Sequence, residues 1–318
     1  MRAMIVAAGL GTRMRPLSWL RPKPALPVRG LPLVAYPLAW LARHGVDEVI
    51  LNLHHLPERL REAAEAHCPP GLRLHFSHEP TLLGTGGGIR RVAHFLRESD
   101  PSLILGGDML ADADLTALVA LHRARGDSVT MLLRDDARAP AFGTIGVDAE
   151  GHVRRIARRF DLGGEIRAGL YTWVNVVAAR SFEDLPERDV FSHLDDWWAP
   201  ALARGAHDIR GVVAGDRPGD PACVWEPVGT LAEYLAVNLS PPRLSYLDAD
   251  AVAARLGTRF APGLVLGAGA RLGAGAHLER AVVWDGEEVP AGLRARGGVF
   301  AGGVFHPVEA PPGGGGGA

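Results

Sequence analysis

The run AMIVAAGLGTRMRP, residues 3–16, decides the fold. Ala3 to Ala7 is short and apolar and reads as a buried strand, and it enters a turn carrying Gly9 and Gly11 with no polar linker between. At such a turn the backbone approaches a ligand closely and successive N–H groups cradle phosphate. The turn fails the dinucleotide fingerprint, because Met14 stands at the third glycine position and no acid follows about twenty residues on to hold a ribose. It also lacks the GK[ST] of a Walker loop. What does follow is Arg13, Arg15 and, eight residues beyond, Lys23: three cations suited to a triphosphate.

Working outward, the charge distribution repeats this message. The 318 residues carry 34 Lys+Arg against 36 Asp+Glu, a net charge of −2, yet Met1 to Val46 holds seven basic residues (Arg2, Arg13, Arg15, Arg21, Lys23, Arg29, Arg43) and no acidic one. A local positive end suggests a small polyanion, where nucleic acid would favour a broader basic face. Lys23 is the only lysine beside 33 arginines. A compact ammonium with rotatable donors fits a crowded phosphate site in which a planar guanidinium does not. At 47% apolar the chain can bury a core, and no apolar run approaches the ~18 residues of a membrane span. No signal-peptide pattern is evident, so a cytoplasmic protein with no membrane or nucleic-acid partner is expected. Cys68 and Cys223 cannot form a disulfide framework and read as inert, buried residues.

Strand-like and helical patterns alternate through the first half: Ala3–Ala7, a helix near 33–43, Glu48–Leu53, a helix near 58–66, Leu72–Phe76, a helix near 87–96, Leu103–Leu105, a helix over 114–125 and Ser128–Leu133. This alternation predicts an α/β fold, a Rossmann-like, mainly parallel sheet flanked by helices, with ligands beyond the carboxyl ends of its strands. Later segments read as strands (Gly143–Val147, Tyr171–Ala178), a Trp-rich helix over 190–204, and a strand–turn–helix from Val224 to Asn238. Pro241 and Pro242 mark a boundary. Beyond Phe260, Leu266, Leu272 and Leu278 recur every six residues, as do Ala270, Ala276 and Val282, which suggests coils of a parallel β-helix. The expected organisation is an α/β domain over 1–240, a linker over 241–258, a short hexapeptide-like β-helix over 259–306, and a disordered Gly-rich tail over 307–318.

The stretch AAGLGTRMRPLSWLRPKPALPVRGLPLV, Ala7 to Val34, closely resembles the signature of the sugar-phosphate nucleotidylyltransferases. The resemblance continues through LLGTGGG (82–88), LGGD (105–108), FGTIGVD (142–148) and VGTLAEYL (228–235). LGAGARLGAGAHLERAVVWDG (266–286) resembles the left-handed β-helix cap of mannose-1-phosphate guanylyltransferases. The resemblance implies transfer of a nucleotidyl group from a nucleoside triphosphate to a sugar 1-phosphate, with release of pyrophosphate and with Mg²⁺ as cofactor; GTP and mannose 1-phosphate are the expected pair. An in-line attack needs no covalent intermediate, so positioning and charge neutralisation carry the rate.

Carried over residue by residue, Ala7, Ala8, Gly9, Gly11, Thr12, Arg13, Glu79, Gly84, Thr85 and Gly86 would bind the nucleotide, and Arg13, Lys23 and Asp108 would be catalytic. The carboxylate of Asp108 follows a strand and suits Mg²⁺; the other reading of such an Asp is a turn or cap, but Asp114, ahead of LTALVALH, is the better N-cap. Glu79 is expected to accept from guanine N1–H and N2–H₂. Gly143, Arg159 and Asn175 are expected on the sugar phosphate. In the family's W-x-D-[VIT]-G-T segment this chain reads VWEPVGT, with Pro227 in place of the aspartate and Glu226 one residue early, so Glu226 is the candidate second metal ligand despite the face change that one residue brings in a strand. The acceptor-side Glu–Lys pair is replaced by Arg158 and Arg159. Those departures support an alternative, a nucleotide-sugar-binding regulatory subunit of the same fold. A hydride-transferring enzyme rests on the glycine turn alone and is disfavoured by Met14. The exposed end of a short β-helix would pair with a second copy, giving a homo-oligomer, or pack on its own catalytic domain.

Overall fold

The computed structural model describes residues 1–215 and 217–308. Arg2–Val6 lies at the heart of a ten-stranded sheet, parallel to Glu48–Leu53 on one side and to Ser102–Gly106 on the other, with Arg73–His78 parallel beyond Glu48–Leu53. Alternate residues of this first strand feed two layers. Ala3 and Ile5 pack with Leu38, Leu41, Leu60 and Leu118 of the helices Ala35–Arg43, Pro57–Ala66 and Leu115–Arg125. Met4 faces Ile89, Val92 and Phe95 of the helix Gly84–Leu96, together with Trp197 and Trp198. Burial on both faces is why Arg2–Val6 and Ser102–Gly106 are almost continuously apolar, whereas the edge strand Arg73–His78 alternates. Asp114 caps its helix as the sequence indicates, accepting from Ala117 N at 2.9 Å, and Gly126 ends that helix at φ +65°.

The second half is not all parallel, although Ile209–Ala214 does pair parallel with Val129–Arg134. Arg167–Val177 joins antiparallel to Ser102–Gly106, Val129–Arg134 and Thr144–Val147, so the sheet is mixed. The 190–204 segment is a π-helical turn, His193–Trp198, continued by the helix Ala199–Ala203. The expected linker contains a helix, Ala249–Arg255, whose Ala253 is fully buried.

Beyond it, short strands stack in parallel with a 17-residue offset: Leu264 beside Ala281 and Ala281 beside Gly298, with Arg271 beside Glu288 and His277 beside Arg294. Three rows of parallel rungs are compatible with a β-helix coil. Leu266 and Leu278 point inward, but Leu272 is exposed, so the six-residue repeat is broken on that row. Val304–Pro307 is a strand antiparallel to Arg294–Ala301, although the tail was expected to begin at 307; residues 309–318 of that expected tail lie outside the described residues.

The coils are not a separate body. Val265, Val282, Trp284, Val299 and Ala301 share one apolar cluster with Met14, Leu17, Leu26 and Leu31 of the segment after the glycine turn and with Tyr234 and Leu235 of the helix Leu231–Leu239. Trp284 Nε1 donates to the Tyr234 hydroxyl at 3.0 Å, which donates to the Pro27 carbonyl at 2.5 Å. Arg21 grips Asp285 through two bonds of 2.8 Å and stacks 4.8 Å from the Trp284 ring. Trp284→Ala is expected to lower the stability of the whole chain by ~3–5 kcal/mol in a urea titration that keeps a single transition; an unchanged main transition with separate melting of the coils would contradict the shared core.

Candidate active site

The glycine turn is built by its neighbours. Ala7 N donates to Asn52 Oδ1 at 2.6 Å, pinning the chain as it leaves the sheet. Gly11 has φ +59°, and a Cβ there would stand 3.2 Å from Lys23 Cβ and 3.3 Å from Ser18 Cβ, so both conformation and space call for glycine. Met14, whose presence broke the dinucleotide fingerprint, is a fully buried anchor that folds the turn Thr12–Met14 down onto the core. Arg13 extends past Gly229, where a Cβ would lie 3.1 Å from its Nη2. Arg15 instead stacks on Trp19, 5.7 Å from the ring, and is absent from the cleft lining.

Lys23 occupies a short turn between Pro22 and Pro24 and is only 9% exposed. Its Nζ lies 2.7 Å from Asp108 Oδ2. Asp108 follows the strand Ser102–Gly106, and its Oδ1 takes no hydrogen bond among the described residues. Asp108 stands in the wall between two compartments, and Lys23 lines the larger of them. The larger, of about 530 Å³, is lined by Ala7, Ala8, Gly9, Gly11, Thr12, Asn52, Glu79, Gly84 and Thr85 among others. The smaller, of about 250 Å³, is lined by Phe142, Gly143, Thr144, Tyr171, Trp225 and Pro227 among others. Arg13, Asp108, Trp173 and Gly229 line both.

Glu79 lines the larger compartment and is almost wholly buried; Oε1 accepts from Asn52 Nδ2 at 2.8 Å and Oε2 from Leu83 N at 3.2 Å. The glycines after it answer mainly to protein. A Cβ on Gly86 would collide with the Phe191 ring, one on Gly87 with the Asp189 carbonyl, and one on Gly88 would stand 2.8 Å from Glu79 Oε1. Gly84 reaches the cleft and Gly86 does not.

On the smaller compartment Gly143 is in place, but three expected residues are elsewhere. Asn175 is fully buried in the sheet, donating to the Ile104 carbonyl at 3.2 Å and accepting from the Tyr171 hydroxyl at 3.0 Å. Arg159 pairs with Asp195 at 2.5 Å on an exposed edge. Glu226 pairs with Arg138 at 2.7 Å; its neighbours Trp225 and Pro227 face the compartment, and strand alternation turns Glu226 away. Asn52 and Trp173 are among the cleft residues that the sequence reading did not single out. Asn52 was readable as the one polar residue near the carboxyl end of EVILNL. Trp173 sits in an irregularity of its strand that no periodicity shows.

A family model described as nucleotidyl transferase matches residues 2–241. The chain belongs to the nucleotidyl transferase family. Among its relatives, a mannose-1-phosphate guanylyltransferase of Mycobacterium tuberculosis is 33% identical over 91% of this chain and 81% of its own length. A UTP–glucose-1-phosphate uridylyltransferase of Synechocystis is 31% identical over 54% of this chain and 48% of its own. The fold matches the crystal structure of HddC from Yersinia pseudotuberculosis with a TM-score of 0.59 at 21% identity, covering 73% of this chain and 96% of that one. No helix among the described residues is long and apolar enough to cross a membrane.

For this family member, Asn52 links the glycine turn to Glu79 and thereby one side of the larger compartment to the other. Asn52→Leu leaves the Ala7 N–H and a Glu79 oxygen unpaired in a buried setting, so stability is expected to fall by ~1–3 kcal/mol and nucleotide affinity to fall with it, measured by denaturant titration and calorimetry. Unchanged nucleotide affinity would show that the turn holds its shape without Asn52.

Proposed function

We propose that this chain transfers a nucleotidyl group from a nucleoside triphosphate to a sugar 1-phosphate, releasing pyrophosphate, with GTP and mannose 1-phosphate as the pair. The observation that carries the reading is the Lys23–Asp108 pair, in which Lys23 lines the larger compartment and Asp108, with Arg13, stands in the wall common to two compartments of unequal size. The larger compartment suits the nucleotide and the smaller the sugar phosphate; the reacting phosphates would then meet at the shared wall. There an oxygen of the sugar phosphate bonds to the α-phosphorus, the bond to the bridging β-phosphate oxygen breaks, and pyrophosphate leaves. The name of the Mycobacterium tuberculosis relative supports both substrates.

In this reading Gly9 and Gly11 offer backbone to the phosphates, Arg13 holds the departing pyrophosphate, and Lys23 neutralises charge that builds on the α-phosphate. Glu79, with one hydrogen bond on each oxygen, keeps lone pairs to accept from a purine edge. The free Oδ1 of Asp108 fits a Mg²⁺ bound through one carboxylate, waters and substrate phosphates. Mg²⁺ when bound would supply further neutralisation of the triphosphate. Glu226 does not fit as a second ligand because of its pairing with Arg138. Residues 1–240 are read as the catalytic unit and 259–306 as a structural coil domain.

The test is pyrophosphate release with Mg²⁺ across nucleoside triphosphates and sugar 1-phosphates. Turnover is expected, lowered about 10²–10³-fold by Lys23→Arg and by Asp108→Asn. No release from any pair, together with tight binding of a nucleotide sugar, would instead establish the binding subunit that Pro227 motivates.

A further inference from the structure

The register of Arg167–Val177 against Val129–Arg134 slips between Tyr171 and Val174. Trp173 lies in that slip with φ +63°, a left-handed conformation that a bulky residue keeps only where its surroundings enforce it. On one side Gly106 leaves room, since a Cβ there would be 3.0 Å from Trp173 Cβ. On the other the buried His193 ring lies 4.7 Å from the indole, centroid to centroid.

The hydrogen bonds of His193 have a single consistent direction. Asn175 Nδ2 donates to the Ile104 carbonyl, so its Oδ1 accepts from the Tyr171 hydroxyl at 3.0 Å. That uses the only proton on Tyr171. At the 3.0 Å contact between Tyr171 and His193 Nε2 the imidazole therefore donates. Its Nδ1 then accepts from the Thr85 hydroxyl at 2.7 Å. The ring is neutral with its proton on Nε2, in keeping with burial, which pushes its pKa down to about 3. The chain of bonds thus runs from Thr85, in the larger compartment, to Tyr171, in the smaller, behind the Trp173 that lines both. Thr85 Oγ1 has a second tie, accepting from the His193 backbone N–H at 3.2 Å, which survives any change of the side chain. Trp173 packs on the ring itself, and Tyr171, although it keeps its bond to Asn175, takes its second hydrogen bond from the ring.

We propose that His193 is a positioning residue that fixes Trp173 as the partition between the nucleotide cleft and the acceptor compartment, and so sets affinity for the acceptor rather than for the nucleotide. This rests on the nucleotidyl-transfer reading above. The experiment is steady-state kinetics of the full chain, with the triphosphate and sugar 1-phosphate that the unaltered protein turns over fastest, on His193→Phe, His193→Gln and Tyr171→Phe. His193→Phe is expected to raise the acceptor KM about tenfold while the triphosphate KM stays within about twofold. His193→Gln, which keeps one donor and one acceptor, recovers most of that loss. Tyr171→Phe removes the acceptor of Nε2–H without emptying the site and moves the acceptor KM in the same direction. Since Tyr171 itself lines the acceptor compartment, the matter is decided, if His193→Phe does not fold, by the double variant with His193→Gln. Its acceptor KM is expected to match that of Tyr171→Phe alone, and a further additive rise overturns the inference. An unchanged acceptor KM, or a parallel rise in both KM values, overturns the inference alone. Absence of turnover by the unaltered protein with every pair overturns the nucleotidyl-transfer reading and the inference with it.

Discussion

A nearly buried ammonium facing a single carboxylate is the constraint around which this structure is arranged. Lys23 has lost most of its water, and a charge so placed is tolerable only against a close opposite charge. Asp108 supplies it at 2.7 Å. Much of the chain serves to bring the two together. Pro22 and Pro24 shape the turn, Gly11 admits the Lys23 stem, and Met14, Leu17 and Leu26 root the segment in a cluster closed by the C-terminal coils. The coils reach the site indirectly, through Arg21, two residues before Lys23, whose guanidinium is clamped by Asp285. Asp108 hangs from the central sheet on a strand whose neighbour delivers the glycine turn.

Arg13, Asp108, Trp173 and Gly229 line both compartments, so under the proposed reading two phosphates brought from opposite sides would need no transport between sites. Holding reactants in contact converts a bimolecular encounter into an effectively unimolecular step. The cost of this economy, in the proposed reaction, is that one ion pair would both bind and neutralise. Pro227 makes the arrangement leaner, because the neighbouring carboxylate, Glu226, is committed to Arg138.

What was legible in the sequence is what depends on neighbours a few residues away. The strand entering the glycine turn, the Asp114 cap, the single lysine and the Asp after LGG all occur as read, and the cleft gathers Gly9, Gly11, Arg13, Lys23 and Asp108. What was not legible depends on contacts across tens to hundreds of residues. The bond from Ala7 to Asn52 and on to Glu79 leaves no periodic trace. Gly86 and Gly87 look like ligand glycines but make room for Phe191 and Asp189, about a hundred positions on. Asn175 went into the sheet because the slip beside Trp173 decides which residues of that strand face the pocket. The 17-residue coil is one short of three sixes, which is where the repeat of leucines and the exposed Leu272 part company.

Because Lys23 is the only lysine, a chain grown with ¹³Cε-lysine gives one side-chain resonance from the centre of the site. The most direct test is to follow that resonance while Mg²⁺ and a nucleoside triphosphate are added. The account predicts a single shifted signal at saturation, as Lys23 exchanges part of its contact with Asp108 for phosphate, and no such shift in Asp108→Asn before nucleotide is present beyond the change due to losing the carboxylate. A resonance that stays in place while the nucleotide binds would place the phosphates away from Lys23 and contradict the account.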